Sequence, residues 1–373
     1  MRVLAFHGYD MRPGSGSAIR SRLLVTGLAK QGADVCVVAR GVPEDLGSSG
    51  ILGRSFATGE SPHRILWDTG KRFRPDVIYA FTDGKAPEVL WAGKRLGCAM
   101  VCDLHGFAPV EVIDLARRGS PVIPQLRESV RRLRAIRRFD GLTVANPTLL
   151  PIARFLNARC RLVAGAADLA HFSPRGETRA LGSPDRIQVV YAGNFYRWQG
   201  CELLLNAAGI LLRMGEPFDF TLIGSGGLDD GLRRRWESPV HGGAIRFLGA
   251  VDYSEIPVYL RSADILVIPR PLLLSTHLAF PNKISDYMAT GRAVLATDLA
   301  PHRYAFRDGQ TGVICRRSAA GLVEGFLRLK SREFRERLGR MARRHAEQHF
   351  CAFRSARAVF DFLDDVLRQR SSR

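Results

Sequence analysis

The chain has no CxxC pair: Cys36, Cys98, Cys102, Cys160, Cys201, Cys315 and Cys351 are scattered, and Cys98 and Cys102, which bracket the start of an expected strand, read as packing residues. Zinc cages and secreted disulfide frameworks are therefore disfavoured, and the thiols read as small reduced core residues of a cytoplasmic protein. Long apolar runs are missing too, and nothing approaches the ~20 residues that cross a bilayer. The opening MRVLAFHGYD has the character of a buried strand, not of a charged region followed by an apolar signal core. Acidic residues are few beside basic ones, 36 against 55, for a formal net charge of +19. A field of that sign attracts nucleic acid, anionic lipid headgroups or nucleotide and pyrophosphate substrates, and charge alone does not choose among them.

Two further absences narrow the choice. No helix-turn-helix, RNA-binding aromatic motif or zinc module accompanies the charge, so nucleic acid is disfavoured as a partner. The first strand is followed by HGYDMRPGSGSA, which lacks the GxGxxG fingerprint, and Ala39 and Arg40 stand where an acidic residue would close the second strand of a dinucleotide site.

What is present is a packed globule with 46% hydrophobic residues over 373 positions, about the length of two domains of ~150–200 residues each. RVLAF, a Gly/Pro-rich loop, AIRSRLLVTGLAKQG and DVCVVA form a βαβ unit within the first forty residues. The alternation continues through DVIYAF, EVLWAGKRLG, AMVCDLHG, a long basic helical region, GLTVAN and CRLVAG. A polar, Pro-containing stretch, residues 171–185, reads as a linker. A second βα series follows, from RIQVVYAG to TGVIC, and then a helical tail. The expected fold class is α/β, with two Rossmann-like domains facing across a cleft: 1–170 and 186–345, with 346–373 packing back on the first.

Ligands of open α/β sheets bind beyond the carboxyl ends of the strands. In the first loop, Gly14, Ser15 and Gly16 permit close backbone approach and precede a helix N-terminus; the alternative is a plain turn. His105 ends a strand in DLHGF beside Asp103, which makes it a candidate for sugar contact or charge adjustment, or else a satisfied structural histidine. Downstream, GNFYRWQG offers Asn194, Arg197 and Gln199 before a helix opened by Gly200, and TLIGSGG repeats the arrangement around Gly224. In FPNKISDYMATGRAVLAT a helix is expected to begin at Asn282 or Lys283. Lys283 and Asp286 then share a face, as a cation for a pyrophosphate and a carboxylate for a ribose diol, or as a solvated pair.

YAGNFYRWQGCELLLNAA, TLIGSGG, IRFLGAVDYSEIPVYLRSADILVIP and FPNKISDYMATGRAVLATD, in this order, resemble the donor domain of family 4 retaining glycosyltransferases of GT-B fold. PGSGSAIRSRLLVTGLAKQGADVCVVAR, DLHG and AGAADLAHFSP are similar to that family's acceptor domain and interdomain junction. The resemblance implies that Gly14 to Gly16 lie near the donor diphosphate and acceptor, His105 near the transferred sugar, and Asp286 at the ribose hydroxyls. It also implies retention of configuration with no metal or other cofactor. Two departures stand out: Leu278 occupies the position of the family's first glutamate, and Asn194 and Gln199 replace the usual Arg and Lys of its loop. The branch carrying GxFxxWxG and PxK fits better, with Arg197 and Lys283 as the diphosphate cations and Asn282 beside them.

Most of the surplus charge has a location. Residues 117–138 hold eight arginines against Glu128, and residues 330–373 hold twelve Lys/Arg against six acids. In QLRESVRRLRAIRRF, apolar Leu126, Val130, Leu133, Ile136 and Phe139 recur at helical spacing, which leaves Arg127, Arg131, Arg134 and Arg138 for an anionic membrane or acceptor surface, or for an ordinary solvated face. The expectation is a cytoplasmic, membrane-peripheral glycosyltransferase of polysaccharide or glycolipid synthesis. It would move a sugar from a nucleotide-diphosphate donor to a glycan or lipid-linked hydroxyl. The alternatives are a non-catalytic nucleotide-sugar-binding protein and a nucleotide-sugar epimerase of the same fold.

Overall fold

A computed structural model describes residues 1–12, 16–81, 83–107, 109–110, 122–236 and 243–372. The chain divides into two compact units: residues 1–166 with 278–282 and 351–373, and residues 167–277 with 283–350. Residues 171–185 belong to the second unit, where the Arg179 N–H donates to Ser262 Oγ at 2.7 Å and the Ser183 N–H to Asp219 Oδ2 at 3.0 Å.

The first unit is built on a parallel sheet of β1 (Arg2–Asp10), β2 (Asp34–Gly41), β3 (Leu52–Ser55), β4 (Val77–Phe81), β5 (Ala99–Leu104), β6 (Gly141–Val144) and β7 (Cys160–Leu162), in the order β3-β2-β1-β4-β5-β6-β7. Successive side chains of a strand face opposite ways, so each strand serves two cores. Leu4, Phe6, Ile78, Met100 and Leu142 fill one, and Val3, Ala5, Val37, Tyr79 and Val101 the other. Both faces are covered, which is why these strands read as continuous apolar runs. The second core is closed by the helices Gly16–Lys30 and Ala352–Ser371, the latter through Ala356, Val359, Phe362, Leu363 and Val366.

The second unit repeats the plan with β8 (Ile187–Ala192), β9 (Phe218–Ile223), β10 (Ile245–Gly249), β11 (Ile265–Ile268), β12 (Ala293–Thr297) and β13 (Val313–Cys315), ordered β10-β9-β8-β11-β12-β13 and parallel throughout. Each sheet reverses its strand order once, between β1 and β4 and between β8 and β11. Such switch points open a crevice at the carboxyl ends of the strands.

Some elements depart from the sequence reading. The edge strand β3 and the helix Ala300–Ala305 are too short to show a hydrophobic period. β6 stops at Val144 because Asn146 turns its side chain to accept from the Thr148 N–H at 3.1 Å, capping the turn that Pro147 begins. No helix among the described residues is long and apolar enough to cross a membrane.

Candidate functional site

In the second unit the loops after β8, β9 and β11 and the helix Lys283–Thr290 converge. Gly193 and Gly224, at φ values of +152° and +132°, sit where the backbones meet. A Cβ on Gly224 would strike the Gly193 carbonyl, and one on Gly193 would strike the Lys283 ammonium. Tyr287 fastens the helix to the end of β8: its hydroxyl accepts from the Ala192 N–H at 2.8 Å and donates to the Ala192 carbonyl at 3.2 Å.

This holds Lys283 over the face of Tyr191, 4.3 Å from the ring centroid, with Nζ 3.2 Å from both the Tyr191 hydroxyl and Gln199 Oε1. Burial lowers the Lys283 ammonium to about 7, Arg270 pushes in the same direction, and Cys201 and Asp286 oppose. Arg270, buried at the end of β11, falls to about 10 because burial outweighs the help of Tyr191. Two cations are therefore packed close together with too little negative charge around them, a site prepared for an anion.

One turn along the helix, Asp286 is buried, and its Oδ1 has no hydrogen-bond partner. Burial raises its carboxyl well above the ordinary range, and Asp168 adds repulsion that Lys283 only partly offsets. An unsatisfied buried acceptor costs ~1–3 kcal/mol and calls for a donor. His302 forms part of the same surroundings. Its Nδ1–H donates to the Thr297 carbonyl at 2.5 Å, and its Nε2 is a second buried atom without a partner.

The sequence-predicted residues separate into groups. Lys283, Gln199 and Gly224 come together with Asp286 nearby, whereas Asn194 and Arg197 are exposed, Asn194 giving only its backbone carbonyl to the Tyr191 hydroxyl at 2.7 Å. Asn282 belongs to the first unit, where its Nδ2 donates to the Gly16 carbonyl. Gly14 and Ser15 lie outside the described residues. Arg127, Arg131 and Arg134 on the helix Val122–Ile136, and Arg138 in the turn that follows it, are exposed and line an open groove with Leu126 and Val130.

His105 anchors a second cluster, in the first unit. Its Nε2–H donates to Asp103 Oδ2 at 2.5 Å, and its Nδ1 is 3.3 Å from Ser17 Oγ, which is 3.2 Å from His7 Nε2. Ser17 thus bridges two strand-end histidines. Burial, aided by His105, lowers His7 to about 4 despite its bond to the Tyr9 carbonyl, so the ring is neutral. Asp103 is fully buried on Arg20; although burial opposes ionisation, Arg20 and His105 hold its carboxyl far below the ordinary range.

Sequence reasoning missed Arg270, Tyr191, His302, His7 and Ser17. Arg270 and His7 did carry a signal, since each is a charged or titratable residue at the carboxyl end of a strand beside a switch point.

Residues 186–332, the span containing these loops, match the family model Glycosyl transferases group 1. This part of the second unit is similar to a glycosyltransferase domain. Among curated relatives, the chain is 29% identical to the D-inositol 3-phosphate glycosyltransferase of Paenarthrobacter aurescens over 48% of its own length and 45% of the relative's. It is 26% identical to that of an Arthrobacter species over 65% and 58%. The chain spans about half the length of the curated relatives it matches. Its fold is similar to that of sucrose-phosphate synthase from Thermosynechococcus elongatus, with a TM-score of 0.78, 18% identity and coverage of 100% of this chain and 99% of that one. It is also similar to Anabaena HepE in complex with UDP and glucose, with a TM-score of 0.75, 15% identity and coverage of 98% and 100%. The matched span carries Lys283, Arg270 and Asp286 at the carboxyl ends of the strands, and the whole chain has the GT-B architecture of two parallel-sheet domains.

Proposed function

We propose that the chain is a retaining glycosyltransferase of family 4 that moves a sugar from a nucleotide-diphosphate donor to a hydroxyl of a glycan or lipid-linked acceptor, in the synthesis of cell-surface polysaccharide or glycolipid. The observation that carries this reading is the trio Lys283, Arg270 and Asp286. Two cations lowered by burial accept a diphosphate, and the buried Asp286 Oδ1, which has no partner, accepts a hydrogen bond from a ribose hydroxyl. The similar structure of Anabaena HepE was obtained with UDP-glucose, which supports a nucleotide sugar as donor.

In the transfer, the bond between the anomeric carbon and the diphosphate oxygen breaks and a bond from the acceptor oxygen forms. The hydroxyl proton leaves with the diphosphate. Negative charge grows on the leaving oxygen, and Lys283 and Arg270 stabilise it in surroundings where burial magnifies their effect. Arg197, exposed on the neighbouring loop, and the backbone around Asn194 complete the donor contacts. His105, oriented by Asp103, contacts the transferred sugar. No metal or other cofactor is assigned.

The acceptor is assigned to an anionic membrane surface on its cytoplasmic side. Leu126 is 46% and Val130 38% exposed, amid Arg127, Arg131, Arg134 and Arg138. Arginines flanking exposed apolar side chains suit anionic headgroups.

Thermal shift of the full chain against UDP-, GDP- and ADP-sugars tests the donor reading, because a ligand of the folded state raises its melting temperature by mass action. At least one donor should stabilise the protein, and Lys283→Ala and Asp286→Ala should weaken it tenfold or more. Unchanged affinity in both variants would sink the assignment. Binding with no acceptor-dependent transfer would leave a nucleotide-sugar-binding protein.

A further inference from the structure

At the opposite end of the second sheet, the amino ends of β8, β11 and β12 and the helix Arg332–His349 enclose a pocket of about 480 Å³. The six residues of β8 separate it from the Gly193 loop by about 17 Å at the usual rise per residue. Its lining is dominated by charge. Arg186, Arg292, Arg332, Arg335 and Arg340 face it with Asp185, Asp264 and Glu336.

Pairing neutralises most of this set. Asp264 receives Arg335 Nη2 at 3.2 Å and the Gln188 N–H at 2.9 Å, while Glu336 receives Arg332 Nε at 2.9 Å. Arg186 is turned toward Asp219 at 2.6 Å. Arg340 reaches Glu336 only at 4.0 Å. Arg292 has no ion pair among the described residues, and its Nε is buried without a hydrogen-bond partner. Burial lowers its guanidinium from the ordinary value.

We propose that this pocket binds the phosphate monoester of a small metabolite at a second site, independent of the donor site, with Arg292 and Arg340 as the ligand forks. Guanidinium groups match phosphate oxygens two by two, and Arg292, which lines the pocket, makes no ion pair among the described residues. The volume lies in the range of small-ligand sites, and the polar lining selects a charged occupant.

The test is calorimetric titration of the full chain with ribose 5-phosphate, AMP and inorganic phosphate. At least one ester should bind, with Kd raised tenfold or more in Arg292→Ala/Arg340→Ala, raised less in Arg292→Lys, and unchanged in Lys283→Ala. Circular dichroism checks the fold of each variant, and Arg292→Lys decides should the double variant not fold. No ester binding at millimolar concentration would overturn the proposal. So would binding that survives in the arginine variants but is lost in Lys283→Ala. Inorganic phosphate binding as tightly as either ester would overturn the assignment to a metabolite. The Lys283→Ala arm keeps this result separate from the donor reading.

Discussion

The Arg20 guanidinium meets the Asp103 carboxylate at 2.9 Å with both side chains sealed from solvent, at 1% and 0% exposure. The same carboxylate accepts from Thr143 Oγ1 at 2.6 Å and from the His105 ring at 2.5 Å, so all its lone pairs have partners. Breaking such a pair strands a charge. Asp103→Asn is expected to lower stability by ~3–5 kcal/mol, read from urea unfolding, whereas Arg20→Met/Asp103→Leu should lose less than Asp103→Asn. Because the folded-state carboxyl lies below its unfolded value, the stabilisation is present above about pH 4 and falls away as pH drops through and below that point.

Lys283 predicts proton uptake on donor binding. Its ammonium is lowered by burial to about 7 in the free protein, and a diphosphate beside it should restore the ordinary value. Titrations with UDP at pH 8 in buffers of different ionisation enthalpy should show close to one proton taken up, and Lys283→Met should abolish it. Folding stability follows the opposite logic. The unfolded state holds this proton between about pH 7 and 10.5 and the folded state does not, so Lys283 destabilises the fold at low pH and this effect fades as pH rises through that window. Lys283→Met should therefore raise Tm most at pH 6.

Asp286 is a function-first residue. Its raised carboxyl means that the folded state holds a proton that the unfolded state has lost above about pH 4, so its contribution to stability declines with rising pH until the folded-state group ionises. Asp286→Asn, which carries no charge, should match or exceed the wild-type Tm at pH 8 while binding the donor at least tenfold more weakly. A coincident loss of both would mean a structural role.

How far the sequence was legible depends on distance along the chain. The βα alternation could be read because both faces of each sheet are covered, which makes strands such as Phe218–Ile223 continuous apolar runs. Lys283 and Asp286 were visible because three residues on one helix fix their neighbourhood. Arg270 and His302 were not, because they join the site through strand pairings that no local pattern encodes, Ile265–Ile268 beside Ile187–Ala192 for Arg270 and Ala293–Thr297 beside Ile265–Ile268 for His302. Nor does spacing reveal that Ser17 lies between His7 and His105, 88 residues from the latter. The apolar residues of QLRESVRRLRAIRRF recur at helical spacing but divide in the fold: Ile136 and Phe139 are buried, Leu133 packs against the core partly buried, and Leu126 and Val130 are exposed.

Ser17 makes a sharp test of the histidine cluster. Removing its hydroxyl leaves Asp103 to fix the His105 ring by one bond while His7 loses a partner. Ser17→Ala should lower the transfer rate about tenfold or more at unchanged UDP affinity, since no donor-site residue is touched. Ser17→Thr, which keeps the hydroxyl, should recover most of it. Weakened UDP binding instead would separate Ser17 from the sugar.

The arginine-rich helix separates a membrane surface from a merely solvated face. Arg134 and Arg138 are exposed, and the groove beside them holds the apolar side chains Leu90, Leu126 and Val130. A basic residue near an anionic bilayer contributes roughly 1 kcal/mol, so Arg134→Ala/Arg138→Ala should weaken binding to phosphatidylglycerol vesicles by about thirtyfold. Among the described residues neither side chain has a carboxylate partner comparable to the Arg131–Glu128 pair at 2.7 Å, so stability should change little. Leu126→Ser should weaken vesicle binding further but leave its salt dependence intact, whereas the arginine variant should flatten that dependence, because only charge is screened. Vesicle binding by the wild type that is equal on phosphatidylcholine and phosphatidylglycerol would dismiss the electrostatic part. Co-sedimentation across a salt series reads all three outcomes.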